Sequence, residues 1–518
     1  MAARATTGGL AAIPAWLARR ERWSRGLIAF LAGAAMTAGH APIDFPFLFY
    51  LAIPVFVWLL DAAPGGRAWF WTGWMAGFGY FVTGLHWIGH AFLVDAEQFA
   101  WLMPFAVTLM PLGLGLFWGL AALACRLVWA DGWMRVAGFA AVLTGFEVIR
   151  SYIFTGFPWA LPGYIWVETP VMQIASWAGP YGTTLITLLI TGLPLVALAR
   201  RQAIPAVAAL AAFAGFWVWG AWRVPDEVAY RDDAPVIRLV QPNAAQHLKW
   251  VEPFARQFYT RLLELSSKPG DVTPDIVIWP ETAVSFFPAF EPEQRARIGT
   301  SGNGATMILG GLHARIDVEP RQIFNSLFVL SPEGAILARY DKHHLVPFGE
   351  YLPFRPVFDA LGIPSLTGRG DFSTGPGPQR LEVPGLPPFN PLICYELIFP
   401  YEIIGDGPRP EWILQVTNDA WFGGFAGPQQ HLAQARIRAI EFGLPVVRSA
   451  NTGISAVLDP YGRVLATIGL NSIGHTDQKL PDSITPTTYS RSGDLPSYVI
   501  LVILLAGGYY LKIRRPPR

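Results

Sequence analysis

The pattern of apolar and polar positions divides the chain into two textures. Up to about Trp222 apolar runs follow one another with brief polar breaks, and from about residue 225 to 480 the chain is polar with short apolar stretches. The runs fall at 26–40, 45–60, 68–90, 101–124, 134–150, 171–199 and 203–222, and a last one at 498–511 precedes a basic tail. A helix needs about 20 residues to cross a bilayer. The runs at 68–90, 101–124 and 171–199 meet that length comfortably, whereas those at 26–40, 45–60 and 134–150 are short. Together they predict about eight membrane helices. Arg19, Arg20, Arg22 and Arg25 before the first run also fit the start of a secretory signal peptide.

The polar stretch has a different rhythm. Short β-branched or apolar runs at 236–240, 275–279, 307–312, 327–330, 336–340, 392–394, 412–416, 446–449 and 455–458 predict strands. Helical patterns lie near 253–265, 291–298 and 429–441, and Ser331-Pro-Glu-Gly334 and Asp459-Pro-Tyr-Gly462 are turn signals between strand pairs. Such alternation predicts a sheet covered by helices. The expected divisions are a membrane domain over 1–225, an α/β domain over 226–480, and a linker with a final membrane helix over 481–518. The Pro/Gly-rich stretch 374–391 reads as a long loop, and 357–391 as a candidate mobile lid.

Composition supports the membrane reading. Hydrophobic residues make up 52% of the chain and charged ones 14%, against about 25% charged in soluble proteins. Basic residues cluster before the first run, at Arg67, at Arg126 with Arg135, at Arg200 with Arg201, and in the tail Lys512, Arg514, Arg515 and Arg518. With seven crossings from an inside N-terminus these groups all fall on the cytoplasmic side, and the polar domain faces outward. A net charge of +1 gives no footprint for nucleic acid. Of the two cysteines, Cys125 ends a membrane run, so Cys394 is expected as a free thiol. No cysteine or histidine spacing suits zinc, and no metal or cofactor is predicted.

Three residues carry candidate chemistry. Glu281 follows a strand in Ile278-Trp-Pro-Glu281-Thr, where burial beside an aromatic wall suits a general base; taken alone it reads more readily as a helix-start carboxylate. Lys342 lies in Tyr340-Asp-Lys342-His-His-Leu-Val-Pro-Phe-Gly-Glu350-Tyr, with Glu350 its natural partner and a solvated lysine the bland alternative. His343 and His344 there look like alternative bases, with packing or a surface position their default reading. Cys394 ends Phe389-Asn-Pro-Leu-Ile-Cys394 and is followed by Tyr395 and Glu396. A nucleophile at such a strand-to-helix turn exposes its side chain, although buried structural cysteines are common. His431 opens a helix pattern and reads as a surface or loop residue.

In order and spacing these three resemble the Glu–Lys–Cys triad of the nitrilase superfamily. Asn418-Asp-Ala-Trp-Phe-Gly423, Arg436-Ile-Arg-Ala-Ile-Glu441 and Arg448-Ser-Ala-Asn-Thr-Gly453 extend the match. The arrangement of helices around the domain, with Gln241-Pro-Asn243 and Lys249-Trp250, resembles the apolipoprotein N-acyltransferase family; Pro242 stands where many relatives have glycine. The resemblance favours a retained first helix and implies an αββα sandwich in a multi-pass protein of the bacterial inner membrane, its catalytic domain periplasmic. It implies transfer of the sn-1 acyl chain of a phospholipid, through a thioester on Cys394, to the N-terminal amine of a diacylglyceryl-modified apolipoprotein. Glu281 would be the base. Lys342 and the Tyr395 N–H would hold the oxyanion, Glu350 would position Lys342, Tyr395 and Glu396 would shape the wall beside the thiol, and Trp250 would line the substrate mouth. No cofactor is implied, and a monomer is expected.

Two rivals follow from the same residues. A membrane-anchored amidase would use the triad with water as second nucleophile. A transporter would place ionisable residues deep in its helices, and these runs hold few: His86, His90, Glu147 and Arg150.

Overall fold

The computed structural model describes residues 9–360, 370–405 and 407–514, without the side chains of 357–359. Arg515 and Arg518 of the basic tail lie outside the described residues. The chain forms two compact units, one of residues 1–225 and 487–518, the other of residues 226–486.

In the first unit the apolar runs become the helices Arg22–Met36, Phe49–Asp61, Gly66–Gly84, Met103–Cys125, Met134–Tyr152, Ala175–Ala199, Ala203–Arg223 and Leu495–Ile513. Four apolar helical stretches, Ala96–Cys125, Pro170–Ala199, Ala203–Arg223 and Leu495–Ile513, are long and apolar enough to cross a membrane by length and composition. Phe49–Asp61 is shorter. Gly66–Gly84 is Trp- and Gly-rich, and such residues contribute packing more than hydropathy. Glycines bring it close to the Arg22–Met36 helix: a Cβ on Gly33 of that helix would meet the Ala76 carbonyl oxygen at 1.9 Å, and one on Gly79 the Phe30 oxygen at 2.0 Å. Small residues at helix crossings are the packing device expected in lipid.

Basic groups gather at one end of this unit. Arg25 donates to the Ala62 carbonyl at 2.8 Å, Arg135 and Arg200 both pair with Asp61, and Lys512 donates to the Arg126 carbonyl. Arg150 is a different case. Its guanidinium is buried against Glu147 and donates to the carbonyls of Phe157 and Trp159, while Trp118 Nε1 donates to Glu147 at 2.6 Å. The pair thereby satisfies backbone carbonyls of the irregular stretch after the Met134–Tyr152 helix.

The second unit is a two-sheet sandwich between helices. One sheet holds β1 (Val236–Gln241), β2 (Ile276–Ile278), β3 (Thr306–Arg315), β4 (Gln322–Leu330), β5 (Ile336–Asp341) and β11 (Gly474–Lys479) in the order β11-β1-β2-β3-β4-β5. The other runs β10-β9-β8-β7-β6, from β6 (Phe389–Ile393), β7 (Trp412–Thr417), β8 (Val446–Ala450), β9 (Ser455–Leu458) and β10 (Val464–Ile468). Ile237, Leu239, Ile278, Ile308 and Leu327 of the first sheet share one core with Phe389, Trp412, Leu414, Val416 and Val447 of the second. On the outer face of the first sheet, Val240, Val277, Trp279, Met307 and Phe328 pack with Leu262 and Ile298 of the Phe254–Ser267 and Pro292–Ser301 helices. Alternate residues of β1, β2, β3 and β4 thus feed two cores, which is why these strands read as nearly continuous apolar runs.

Topology sets where the chemistry sits. β1, β2 and β3 are parallel, and two antiparallel steps through β4 return β5 to the direction of β2. The residues following β2 and β5 therefore emerge at the same end of the sheet. The expected lid over 357–391 falls partly on 361–369, outside the described residues. From Phe372 the segment is tied in: the N–H groups of Phe372, Ser373 and Gly375 donate to the carbonyls of Glu350, Ile323 and Lys342 at 2.7–2.8 Å.

Removing one partner of a buried pair strands the other charge, which typically destabilises by about 3–5 kcal/mol. Arg150→Met should therefore lower the melting temperature in detergent sharply, and Glu147→Gln in the same chain should recover most of the loss. Equal melting of the single and double variants would refute a coupled pair.

Candidate active site

Glu281 leaves the end of β2 through Trp279 and Pro280, Lys342 directly follows β5, and Cys394 directly follows β6. All three are buried, with side chains near the shared end of the sandwich. Lys342 Nζ lies 2.9 and 2.8 Å from the two Glu350 carboxylate oxygens and 3.9 Å from Glu281 Oε1. Asn325 on β4 joins the carboxylates, its amide donating to Glu281 Oε1 at 2.7 Å and to Glu350 Oε1 at 2.9 Å. The Asn325 carbonyl also accepts the Lys342 N–H at 2.8 Å. One residue of the sheet ladder therefore fixes both carboxylates and the lysine's backbone.

Cys394 has φ of +53°, a left-handed conformation that a non-glycine residue holds only when its surroundings enforce it. Two braces enforce it here. Glu396 is fully buried; its Oε2 accepts the Ile393 N–H at 2.6 Å, and its Oε1 accepts from the His343 N–H at 2.7 Å and the Tyr340 hydroxyl at 2.8 Å. It ties the nucleophile turn to the strand end that carries Lys342, an inward role beyond the wall-shaping one expected of it. Beneath the turn, Gln415 Nε2 donates to the Cys394 carbonyl at 3.0 Å, and His431 Nε2 lies 3.2 Å from it. His431 Nδ1 is 3.0 Å from Asp419 Oδ1, and Asp419 pairs with Arg448. The surface or loop placement expected for His431 is wrong: it is fully buried, since the Gly427–Phe442 helix turns that face onto the nucleophile turn.

The remaining candidates sit around this centre. His343 and His344 both face Glu402, His344 at 2.7 Å, and His344 stacks on Phe399 with ring centroids 3.6 Å apart. Tyr395 is buried and packs edge-on to Phe399 at 5.0 Å. Trp250 lies beside Lys249, 5.4 Å from its ammonium, and lines a small cavity with Pro280 and Ala283.

Comparison with known proteins decides the family. The apolipoprotein N-acyltransferase N-terminal domain matches residues 32–193, and the carbon-nitrogen hydrolase domain matches residues 237–486. Proteins named apolipoprotein N-acyltransferase are 40% identical in Rhodopseudomonas palustris, over 96% of this chain and 96% of that one, and 42% identical in Bradyrhizobium diazoefficiens, over 95% and 96%. The chain belongs to the apolipoprotein N-acyltransferase family. It is accordingly a multi-pass membrane protein. Among solved structures, a mutant amidase of the nitrilase superfamily from Nesterenkonia is similar at 18% identity, covering 53% of this chain and 99% of that one, with a TM-score of 0.35.

The electrostatics of this family member's site follow from burial and pairing. Burial pushes the Glu281 carboxyl up, against the opposing charge of Lys342. Burial likewise raises the Cys394 thiol, and Glu281 adds to this while Lys342 opposes it. For Lys342 burial works against the charge, but Glu350, Glu281 and Cys394 outweigh it and hold the ammonium above its ordinary range. The thiol is therefore protonated at rest, the lysine is charged, and the carboxylate is a strengthened base. Sequence reasoning missed Asn325 and gave Lys249 no role. A polar residue inside the apolar run Phe324–Leu330 was the available signal for Asn325.

His343 supplies a pH test. Burial lowers its pKa, but hydrogen bonds and charges from Glu396 and Glu402 outweigh that and lift it to about 9. A folded pKa above the unfolded one means its stabilisation is complete below about pH 6.5 and is lost as pH rises through about 9. His343→Gln should thus lower the melting temperature more at pH 6 than at pH 10. Equal losses at both would contradict the assignment.

Proposed function

We propose that this chain transfers the sn-1 acyl chain of a phospholipid to the N-terminal amine of a diacylglyceryl-cysteine apolipoprotein, with Cys394 as nucleophile. The observation that carries this reading is a buried Lys342 ammonium held between Glu281 and Glu350, with its charge and that of Glu281 acting on the Cys394 thiol. Family membership gives the substrate class.

Glu281 takes the thiol proton as sulfur attacks the sn-1 ester carbonyl. Because the thiol is raised rather than lowered, proton transfer accompanies attack and no standing thiolate is needed. Negative charge develops on the carbonyl oxygen and meets the Lys342 ammonium and the Tyr395 N–H. Collapse expels the sn-1 alkoxide, which takes the proton from Glu281 and leaves as lysophospholipid. The acyl thioester remains on Cys394. The apolipoprotein amine then attacks the thioester carbonyl and gives its proton to Glu281. Collapse breaks the carbon–sulfur bond, the thiolate recovers the proton, and an N-acylated lipoprotein departs. Glu350 keeps Lys342 charged and oriented throughout. Trp250 borders the mouth.

The location proposed is the bacterial inner membrane, with residues 226–480 periplasmic between a membrane domain over 1–225 and the last helix within 481–518, in a monomer. Gathering of the basic ends at one side of the helical unit supports a common cytoplasmic face. The reading of a membrane-anchored amidase has no comparable support.

Purified protein given phospholipid and a diacylglyceryl-cysteine peptide should release lysophospholipid and N-acyl peptide in equal amounts. Cys394→Ala should abolish both. Glu281→Gln should slow the reaction by about 10²–10⁴ and Lys342→Met by about 10²–10³, as followed by lysophospholipid release. Free fatty acid in place of acylated peptide would identify a hydrolase instead.

A further inference from the structure

A second buried lysine stands behind the base. Lys249 is 6% exposed, and its ammonium donates to the backbone carbonyl of Glu281 at 3.1 Å and to the Thr282 hydroxyl at 2.9 Å. Its hydrogen-bond partners are thus neutral, although a buried ammonium ordinarily requires a carboxylate. What it grips is the turn that carries Glu281. Thr282 has φ of +44°, and a β-branched residue in the left-handed region is a true outlier. That conformation falls where the chain leaves β2 beside Gly310 of β3.

The turn is seized from both sides. From β3, the Gly310 N–H donates to the Pro280 carbonyl at 3.2 Å and the Gly310 carbonyl accepts the Ala283 N–H at 2.8 Å. A Cβ on Gly310 would lie 2.6 Å from both Glu281 Cα and Thr282 N. From the opposite flank comes Lys249, packed with Trp250, Tyr259 of the Phe254–Ser267 helix, and Asn451 around the small cavity. Asn325 then orients the carboxylate at its tip. We propose that Lys249 is a positioning residue for Glu281, its ammonium clamping the strained Glu281–Thr282 turn and placing a positive charge behind the carboxylate. This rests on the reading of Glu281 as the general base.

Charge and geometry act in the same direction. Glu281 feels Lys342 from the front and Lys249 from behind, and both favour its ionised form. Burial draws the Lys249 pKa down to about 8, against the attraction of Glu281. The ionisable groups facing Lys249 are Glu281 on the turn and Tyr259 on the helix, with Lys342 and Glu350 reaching it through Glu281. Removing the ammonium withdraws a charge that lowers the Glu281 pKa, so the acid limb of any Glu281-dependent rate moves to higher pH.

The test compares wild type, Lys249→Met, Lys249→Arg and Thr282→Val in full-length detergent-purified protein between pH 5 and 9. Two rates are read: iodoacetamide alkylation of Cys394, which needs only the base, and thioester formation from phospholipid. Lys249→Met should slow both by about 10–100-fold, the scale of a small misplacement of a reacting group. The KM for phospholipid should stay within about twofold of wild type, and the acid limb should move upward. Lys249→Arg, which keeps the charge and two donors, should recover most of the rate. Thr282→Val should fall between, and adding it to Lys249→Met should slow the reaction little further. Rates and acid limb unchanged in Lys249→Met overturn the proposal. If that variant does not fold, wild-type rates in Thr282→Val overturn it instead. A wild type that alkylates but forms no thioester refutes the acyl-transfer reading, while the alkylation series still decides the role of Lys249.

Discussion

The site depends on one constraint: the Lys342 ammonium, stripped of water, keeps its charge only because carboxylates stand beside it. Glu350 lies at hydrogen-bond distance and Glu281 about one ångström farther away. The asymmetry divides the labour. The nearer carboxylate holds the lysine, and the farther one is free to accept a proton. Asn325 keeps the two carboxylates from merging into one pair, because its single amide donates to both. The sheet is arranged around this arrangement of charges, with β4 supplying the asparagine between the strands that present the lysine and the base.

The nucleophile depends on a second, independent set of contacts. Cys394 occupies a backbone conformation that strand sterics resist, and polar groups on both sides hold it there. Glu396 binds the N–H at the start of the turn, while Gln415 and His431 approach the Cys394 carbonyl from below. Asp419 is held down to about 2 because Arg448 and His431 outweigh its burial. The motifs that linked this chain to its family, around Asn418 and Arg448, thus sit beneath the thiol. Asn418 and Asn451 join them by an amide hydrogen bond of 2.9 Å.

Much of this was legible in the sequence. Apolar runs separated by basic breaks yielded the helices, because a span of fixed length must be apolar regardless of its neighbours. Strands buried on both faces were visible as continuous runs, and the turn at Ser331–Gly334 marked the β4–β5 hairpin. β10 and β11 were missed because their residues are partly or wholly exposed at nearly every position, leaving little apolar signal. His431 was misplaced for a related reason: its burial comes from Asp419 and Gln415, which are remote in pattern though near in space. Lys249 resisted assignment because a lysine beside a tryptophan looks like a surface pair until Glu281 and Thr282 are brought to it. Long-range contacts, more than local propensity, separate the readable part of the site from the rest.

An acyl group resting on Cys394 has two possible acceptors, water and amine, and in the proposed reaction it goes to the amine. Intact-mass measurement of the protein after phospholipid alone tests it most directly. An acyl-sized adduct should appear that is absent from Cys394→Ala, persists in buffer, and vanishes within the time of one turnover when a diacylglyceryl-cysteine peptide is added. An adduct discharged equally fast by buffer, or none under conditions where peptide is acylated, would contradict it.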